Sequence, residues 1–340
     1  MALVMSSLVV SVSACNSDAD GADAADGSAE TTSSEPSGPS SGATPVELAP
    51  AVDPEGAVTD GTLRFAGSER TYRLYVPSHL PAGPVPLFIG LHGGLGWGDQ
   101  FATTNHIEGL AESNGFIVVH PDGTKLAGGP LAERNGGRGG VWNGGICCGL
   151  AARSHADDVG FIAALIDQLE TDHDIDPHRV FAFGHSNGGI MSYRLACQLA
   201  DRIVGIGVVA GTLGINPCDP VQPVSVIHVH GTADDNLPLA GGVGTDSLAG
   251  IDFPPPRDGF DTLATADGCA TATETTEGDI TMSRRQPCDD GSATVFVTIA
   301  GAPHAWPGGT PRVQPASGTG YADYDATTEI VTFLLSHPHP

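Results

Sequence analysis

Gly184-His185-Ser186-Asn187-Gly188 sets a serine between two glycines, the pattern of a sharp turn from strand to helix that presents a hydroxyl. A hydroxyl is a weak nucleophile until a base takes its proton, and that base needs a carboxylate to orient it. Both partners occur further along the chain. Asp234 and Asp235 stand in His230-Gly231-Thr232-Ala233-Asp234-Asp235-Asn236-Leu237-Pro238, and His304 stands in Gly301-Ala302-Pro303-His304-Ala305-Trp306-Pro307-Gly308. A fourth run, Leu91-His92-Gly93-Gly94, lets backbone approach a substrate. Its Gly94 N–H, with Leu95 next in order, and the Asn187 N–H behind the serine are candidate donors to a developing oxyanion. The chemistry implied is nucleophilic attack on a carbonyl: Ser186 as nucleophile, His304 as base, and Asp234 or Asp235 as the acid.

A Gly-x-Ser-x-Gly match arises by chance about 0.4 times in a chain this rich in serine and glycine, so placement decides its worth. Short apolar runs rich in valine and isoleucine, bounded by Gly and Pro, read as strands buried on both faces: 87–91, 116–120, 180–183, 204–210, 224–230 and 295–300. Leu63–Ala66 and Thr71–Val76 around Gly67-Ser68-Glu69-Arg70 read as an antiparallel hairpin. Helical spacing follows Asp157-Asp158 through Val159, Ile162, Ile166 and Leu169, then runs from Asn187 towards Leu199, and from about Asp325 to Leu335. Strands alternating with helices predict an α/β fold, about eight strands in a mostly parallel sheet with helices on both faces. All four motifs then sit beyond strand ends, in the chain order Ser, Asp, His of α/β-hydrolases. The long stretches 122–156 and 239–268 read as loops over the site. Trp306 beside His304, Trp142 in the first long loop, and His185 are candidate substrate contacts, although a tryptophan is as readily a core residue. His228 and His230, two apart on a strand, have no third ligand at a metal-binding spacing; neither metal nor cofactor is expected.

With 40 acidic residues against 14 basic ones and a net charge of −26, the chain would repel a phosphate backbone, which argues against a nucleic-acid partner. No apolar run is long enough for a spanning helix. Residues 1–15 end in Val12-Ser13-Ala14-Cys15, which resembles a bacterial lipoprotein cleavage box; the expectation is export, with lipidated Cys15 as the only membrane contact, or free secretion as the alternative. Residues 16–58, rich in Ser, Gly, Asp, Ala and Pro, read as a disordered tether, and 59–340 as the catalytic domain. Six further cysteines in an exported chain suggest disulfides. Short separations favour Cys197 with Cys218 and Cys269 with Cys288, leaving the neighbours Cys147 and Cys148 bonded to each other or free.

The runs VGFIAALIDQLE, HRVFAFGHSNGGIMSYRLAC, HVHGTADDNLP and HAWPGG resemble the secreted polyhydroxybutyrate depolymerase-like esterases, a family that includes feruloyl and acetylxylan esterases. The resemblance spans residues 60 to 340, and Trp142-Asn143 ahead of Cys147-Cys148 shares it. It implies Ser186 as nucleophile, Asp234 as acid and His304 as base, with esters rather than amides as substrates. Polymer-degrading members commonly append a substrate-binding domain, and this chain ends with its catalytic domain. Small soluble esters are therefore expected: feruloyl or acetyl sugars, or short hydroxyalkanoate oligomers. The alternatives are a polyester depolymerase, a peptidase of the same fold and a non-catalytic surface-binding lipoprotein.

Overall fold

The computed structural model describes residues 46–126, 128, 133, 137–310 and 323–338. The expected signal, Cys15 and residues 16–45 of the expected tether lie outside them. Residues 46–56 are not free tether but lie along the domain: the Val46 N–H donates to Ser336 Oγ, the Ala49 N–H to Asn114 Oδ1 and the Val52 N–H to the Gly109 carbonyl. Leu48 packs on the core beneath.

The apolar runs become the middle of one sheet. Its strands are β1 (Ala57–Phe65), β2 (Ser68–Val76), β3 (Val85–Leu91), β4 (Ile117–Pro121), β7 (Ile175–His185), β8 (Gly205–Val209), β9 (Ser225–Gly231), β10 (Thr273–Glu277), β11 (Ile280–Arg285) and β12 (Thr294–Ile299), in the order β1-β2-β4-β3-β7-β8-β9-β12-β11-β10. The six strands from β4 to β12 are mutually parallel, and antiparallel pairs close both edges. A two-stranded ribbon, β5 (Thr124–Lys125) with β6 (Gly140–Val141), stands apart. This is the α/β-hydrolase architecture with ten strands instead of eight. The added pair is β10 and β11: β10, the outer strand, reads Thr-Glu-Thr-Thr-Glu and is exposed throughout, and β11 alternates Ile280 and Met282 with polar residues, so no apolar run marks either. The β1–β2 turn is Ala66-Gly67, both at positive φ, the two-residue geometry whose twist suits a hairpin; of the expected four-residue turn at 67–70, Ser68, Glu69 and Arg70 instead start β2.

Helices Asp158–Asp172, Asn187–Gln198 and Pro256–Ala266 cover one face, where Phe161, Leu165, Met191, Leu195, Phe260 and Leu263 are buried. Helices Gly98–Asn105, Ile107–Asn114 and Ala326–Ser336 cover the other with Phe101, Leu110, Ile330 and Leu334. Asp157 caps the first helix by accepting the Gly160 N–H, whereas Asp158 turns inward to pair with Arg70 at 2.9 Å and accept the Asn143 N–H. The stretch 239–268, expected as a loop, contains the Pro256–Ala266 helix. Its prolines start the helix instead of breaking it, because the first turn has no intrahelical acceptor for the missing N–H. Disulfides join Cys197 to Cys218, Cys269 to Cys288 and Cys147 to Cys148. Among the described residues no helix is long and apolar enough to cross a membrane.

Asp267, at the end of the Pro256–Ala266 helix, is buried where it accepts the Val224 N–H and the Ser292 hydroxyl. Burial outweighs those bonds and, with Asp289 nearby, pushes its carboxyl up to about 7. The folded chain therefore holds a proton that the unfolded chain releases near pH 4. This contribution is complete below pH 4 and lost as pH rises through 7. Relative to Asp267→Asn, the wild type should lose stability across that window by an amount on the order of a few kcal/mol, checked by Tm at pH 4 and pH 8. Parallel pH curves for the two proteins would contradict this.

Candidate active site

All six parallel strands end at the same edge of the sheet, so the motifs beyond β3, β7, β9 and β12 converge there. Ser186 follows β7 directly at φ 55°, ψ −119° and is the N-cap of the Asn187–Gln198 helix, a backbone state that strains a non-glycine residue by roughly 1–3 kcal/mol. Two hydrogen bonds pin it: the Ser186 N–H donates to the Val209 carbonyl, and the Ile190 N–H donates to the Ser186 carbonyl, both at 2.9 Å. The flanking glycines are sterically required. A Cβ on Gly184 would lie 2.4 Å from the Gly188 carbonyl carbon, and one on Gly188 would lie 2.0 Å from the Leu91 carbonyl oxygen.

The residues expected as acid and base arrive on laced loops. The Thr232 N–H donates to the Ile299 carbonyl, the Ala233 N–H to the Ala302 carbonyl and the Gly301 N–H to the Thr232 hydroxyl. Beyond these, His304 Nδ1 lies 2.7 Å from Asp234 Oδ2. The other oxygen, Oδ1, accepts the Asn236 and Leu237 N–H groups at 2.9 and 2.8 Å. Burial disfavours the charged carboxylate, yet His304 and these N–H donors prevail and hold the Asp234 carboxyl below its ordinary range. Asp235 is exposed, so between the two aspartates it is Asp234 that meets the imidazole. Ser186 and His304 line one cavity of about 690 Å³, within the range of small-molecule sites. No hydrogen bond joins them here, and contacts of this kind commonly tighten only in the Michaelis or transition-state complex.

Gly94 lines the same cavity, and a Cβ on it would sit 3.7 Å from that of Asn187, so the two expected donors are neighbours. Leu95, the second choice, gives its N–H to the Gly140 carbonyl. The Asn187 N–H lies in a first helical turn, where no intrahelical acceptor exists. Trp142 is not in the cavity. It is fully buried, and its indole N–H donates to the His92 carbonyl while its backbone exchanges two hydrogen bonds with the Asn187 side chain. It braces the Gly93-Gly94 loop against the turn at Ser186, a role that residue type alone does not signal. Trp306 does line the cavity, but it is almost as buried: its N–H donates to Thr327 Oγ1, and its ring packs on Phe101 and Phe183. His185 lines the cavity with its ring 4.9 Å from that of His304. Burial, with His304 beside it, pushes that imidazole down to about 3, so it stays neutral.

The family model described as Esterase PHB depolymerase matches residues 70–240. The chain belongs to the polyhydroxybutyrate depolymerase esterase family. A relative that bears an esterase name, NocK of Nocardia uniformis subsp. tsuyamanensis, is 30% identical, covering 86% of each chain. Feruloyl esterase C of Emericella nidulans is 33% identical over 59% of this chain and 68% of its own. Among solved structures, an acetyl xylan esterase from Aspergillus awamori shares the fold, with a TM-score of 0.53 at 15% identity, covering 74% of this chain and 94% of that one. Membership in this esterase family makes the chain a carboxylic ester hydrolase.

Gly188→Ala should destroy this site. Its methyl group would displace the Leu91 carbonyl and so push the Gly93-Gly94 loop away from Ser186, and overpacking of this kind costs about 1–3 kcal/mol or more. The expected result is a lowered Tm with esterase activity lost. A variant with the activity and Tm of the wild type would contradict the packing described.

Proposed function

We propose that the chain cleaves carboxylic esters through an acyl-enzyme on Ser186, with His304 as the base and Asp234 as its orienting acid. The observation that carries this reading is the 2.7 Å contact between His304 and the buried Asp234, at the wall of a cavity that Ser186 also lines. His304 would take the Ser186 proton as the hydroxyl attacks the ester carbonyl, then return it to the leaving alcohol; water would repeat the cycle on the acyl-enzyme. The Gly94 and Asn187 N–H groups would stabilise the oxyanion in both halves, each contributing roughly 10²–10³-fold in rate.

Ser186→Ala and His304→Ala should each abolish turnover of p-nitrophenyl acetate with the far-UV spectrum retained. The double variant should be hardly worse than either alone, because the residues act as one unit. Asp234→Asn should be far slower than Asp235→Asn. Activity like the wild type in either single alanine variant would overturn the assignment.

Small soluble esters are the proposed substrates, acting in an extracellular setting: feruloyl or acetyl sugars, or short hydroxyalkanoate oligomers. Largely apolar walls, with Phe101, Ile190 and Phe253 among them, support an acyl or aromatic group inside. Arg153 favours the oligomers within this set. It is exposed, lines the cavity and makes no ion pair among the described residues, so a carboxylate end of a hydroxyalkanoate would find a partner there. Arg153→Gln should raise KM about tenfold for p-nitrophenyl hemisuccinate and leave KM for the uncharged p-nitrophenyl butyrate unchanged. Equal effects on the two esters would remove the preference for oligomers.

A further inference from the structure

Beneath Asp234 lies a chain of buried polar side chains that the reaction scheme does not use. The Tyr193 hydroxyl is 2.8 Å from His228 Nδ1, His228 Nε2 is 3.0 Å from His230 Nδ1, and His230 Nε2 is 2.9 Å from the Leu237 carbonyl oxygen. All three side chains are fully buried or within 1% of it. The end of the chain dictates its direction. A carbonyl oxygen can only accept, so His230 Nε2 carries a hydrogen. A neutral imidazole carries one hydrogen, so His230 Nδ1 is bare and accepts from His228 Nε2. His228 Nδ1 is then bare in turn and accepts from the Tyr193 hydroxyl. Burial lowers both imidazoles, with His230 adding to the effect at His228, and raises the Tyr193 phenol, so each keeps the protonation this pattern needs. All four ring nitrogens are thereby engaged within the protein.

The chain joins two elements that the backbone connects only at a distance. Tyr193 stands about two turns along the helix that begins behind Ser186, whereas Leu237 closes the turn that carries Asp234. That same Leu237 donates its own N–H to Asp234 Oδ1, and His230 Nε2 leans towards Asp234 Oδ2 at 3.4 Å. The surroundings are apolar: His228 stacks on Phe296 at 4.5 Å, and Phe296 meets Phe260. Hydrocarbon side chains would fill this space without the desolvation that three polar groups bring. A fully paired network supplies what hydrocarbon does not, namely a fixed direction and distance.

We infer that Tyr193, His228 and His230 form a one-way hydrogen-bond relay that sets Asp234 in place relative to the Ser186 helix, with His230 as the positioning residue acting through the 234–237 turn. The inference rests on the proposed triad, and its test separates the two. Tyr193→Phe removes one hydroxyl, His230→Leu removes the donor to Leu237, and His230→Gln restores an amide donor at similar reach. Tm, kcat and KM on p-nitrophenyl acetate are measured for each, together with the downfield proton resonance of His304 Nδ1–H against Asp234. Tyr193→Phe should lower kcat about three- to tenfold and His230→Leu about a hundredfold, with KM unchanged, the magnitude expected when a reacting group is misplaced. His230→Gln should recover at least tenfold of that loss, and the downfield resonance should move in the two disabled variants. If Tyr193→Phe and His230→Leu lower Tm but keep the kcat and resonance of the wild type, the relay is structural only and the inference fails. Should His230→Leu not fold, an unchanged kcat and resonance in Tyr193→Phe suffices to overturn it. Full activity in Ser186→Ala would instead defeat the triad, whatever the relay variants do.

Discussion

Ser186 sits at a backbone angle that an L-residue adopts only when its surroundings leave no alternative. Here the alternatives are closed on three sides. Strand β7 is hydrogen-bonded to β3 and β8 up to the residue before the serine, the helix begins at the residue after it, and the Leu91–Gly94 segment passes so close that residue 188 can carry no side chain. The strain of roughly 1–3 kcal/mol is held by two backbone hydrogen bonds and by the buried sheet on either side. One half of the site takes its position from that turn: Asn187 beside it, Trp142 tied to Asn187, and through the Trp142 indole the loop that offers Gly94.

The proposed acid and base, Asp234 and His304, form a second unit, built on the loops beyond β9 and β12. Asp234 is buried, which alone would favour its neutral form, but it collects two backbone N–H donors and the His304 ring. Its charge therefore survives burial and is aimed at one imidazole. Because β9 and β12 are parallel neighbours, their loops leave the sheet side by side and lace together. That is why residues seventy positions apart can meet at 2.7 Å. Two such units facing one cavity would provide the preorganisation that the proposed acyl-enzyme route requires.

Much of this was legible from residue patterns because the parallel strands are buried on both faces and so read as unbroken Val- and Ile-rich runs. Glycines mark the motifs as well, and at Gly184, Gly188 and Gly231 the packing leaves no room for a side chain. What stayed hidden had no such mark. Strand β10 is polar and exposed at the sheet edge, its neighbour β11 offers only Ile280 and Met282 to the core, and the Pro256–Ala266 helix begins with the residues that usually signal its absence. Residues 46–56 share with the stretch before them the lack of any aromatic or basic residue, but they find partners on the domain. Trp142 offered a large aromatic ring, and only its surroundings distinguish a brace from a cleft wall. His228 and His230, two apart on one strand and without a third ligand at a metal-binding spacing, gave no role from the sequence; their partners, Tyr193 and the Leu237 carbonyl, come from other elements and are visible only once the chain is folded.

The central claim is that Ser186 is a nucleophile activated by the His304–Asp234 pair. The most direct measurement is covalent: incubation with a fluorophosphonate ester, then intact mass and peptide mapping of the wild type and of His304→Ala. A single adduct is expected on the peptide containing Ser186, formed rapidly in the wild type and slowed by orders of magnitude without His304. No adduct, an adduct on another serine, or equal labelling rates in the two proteins would contradict it.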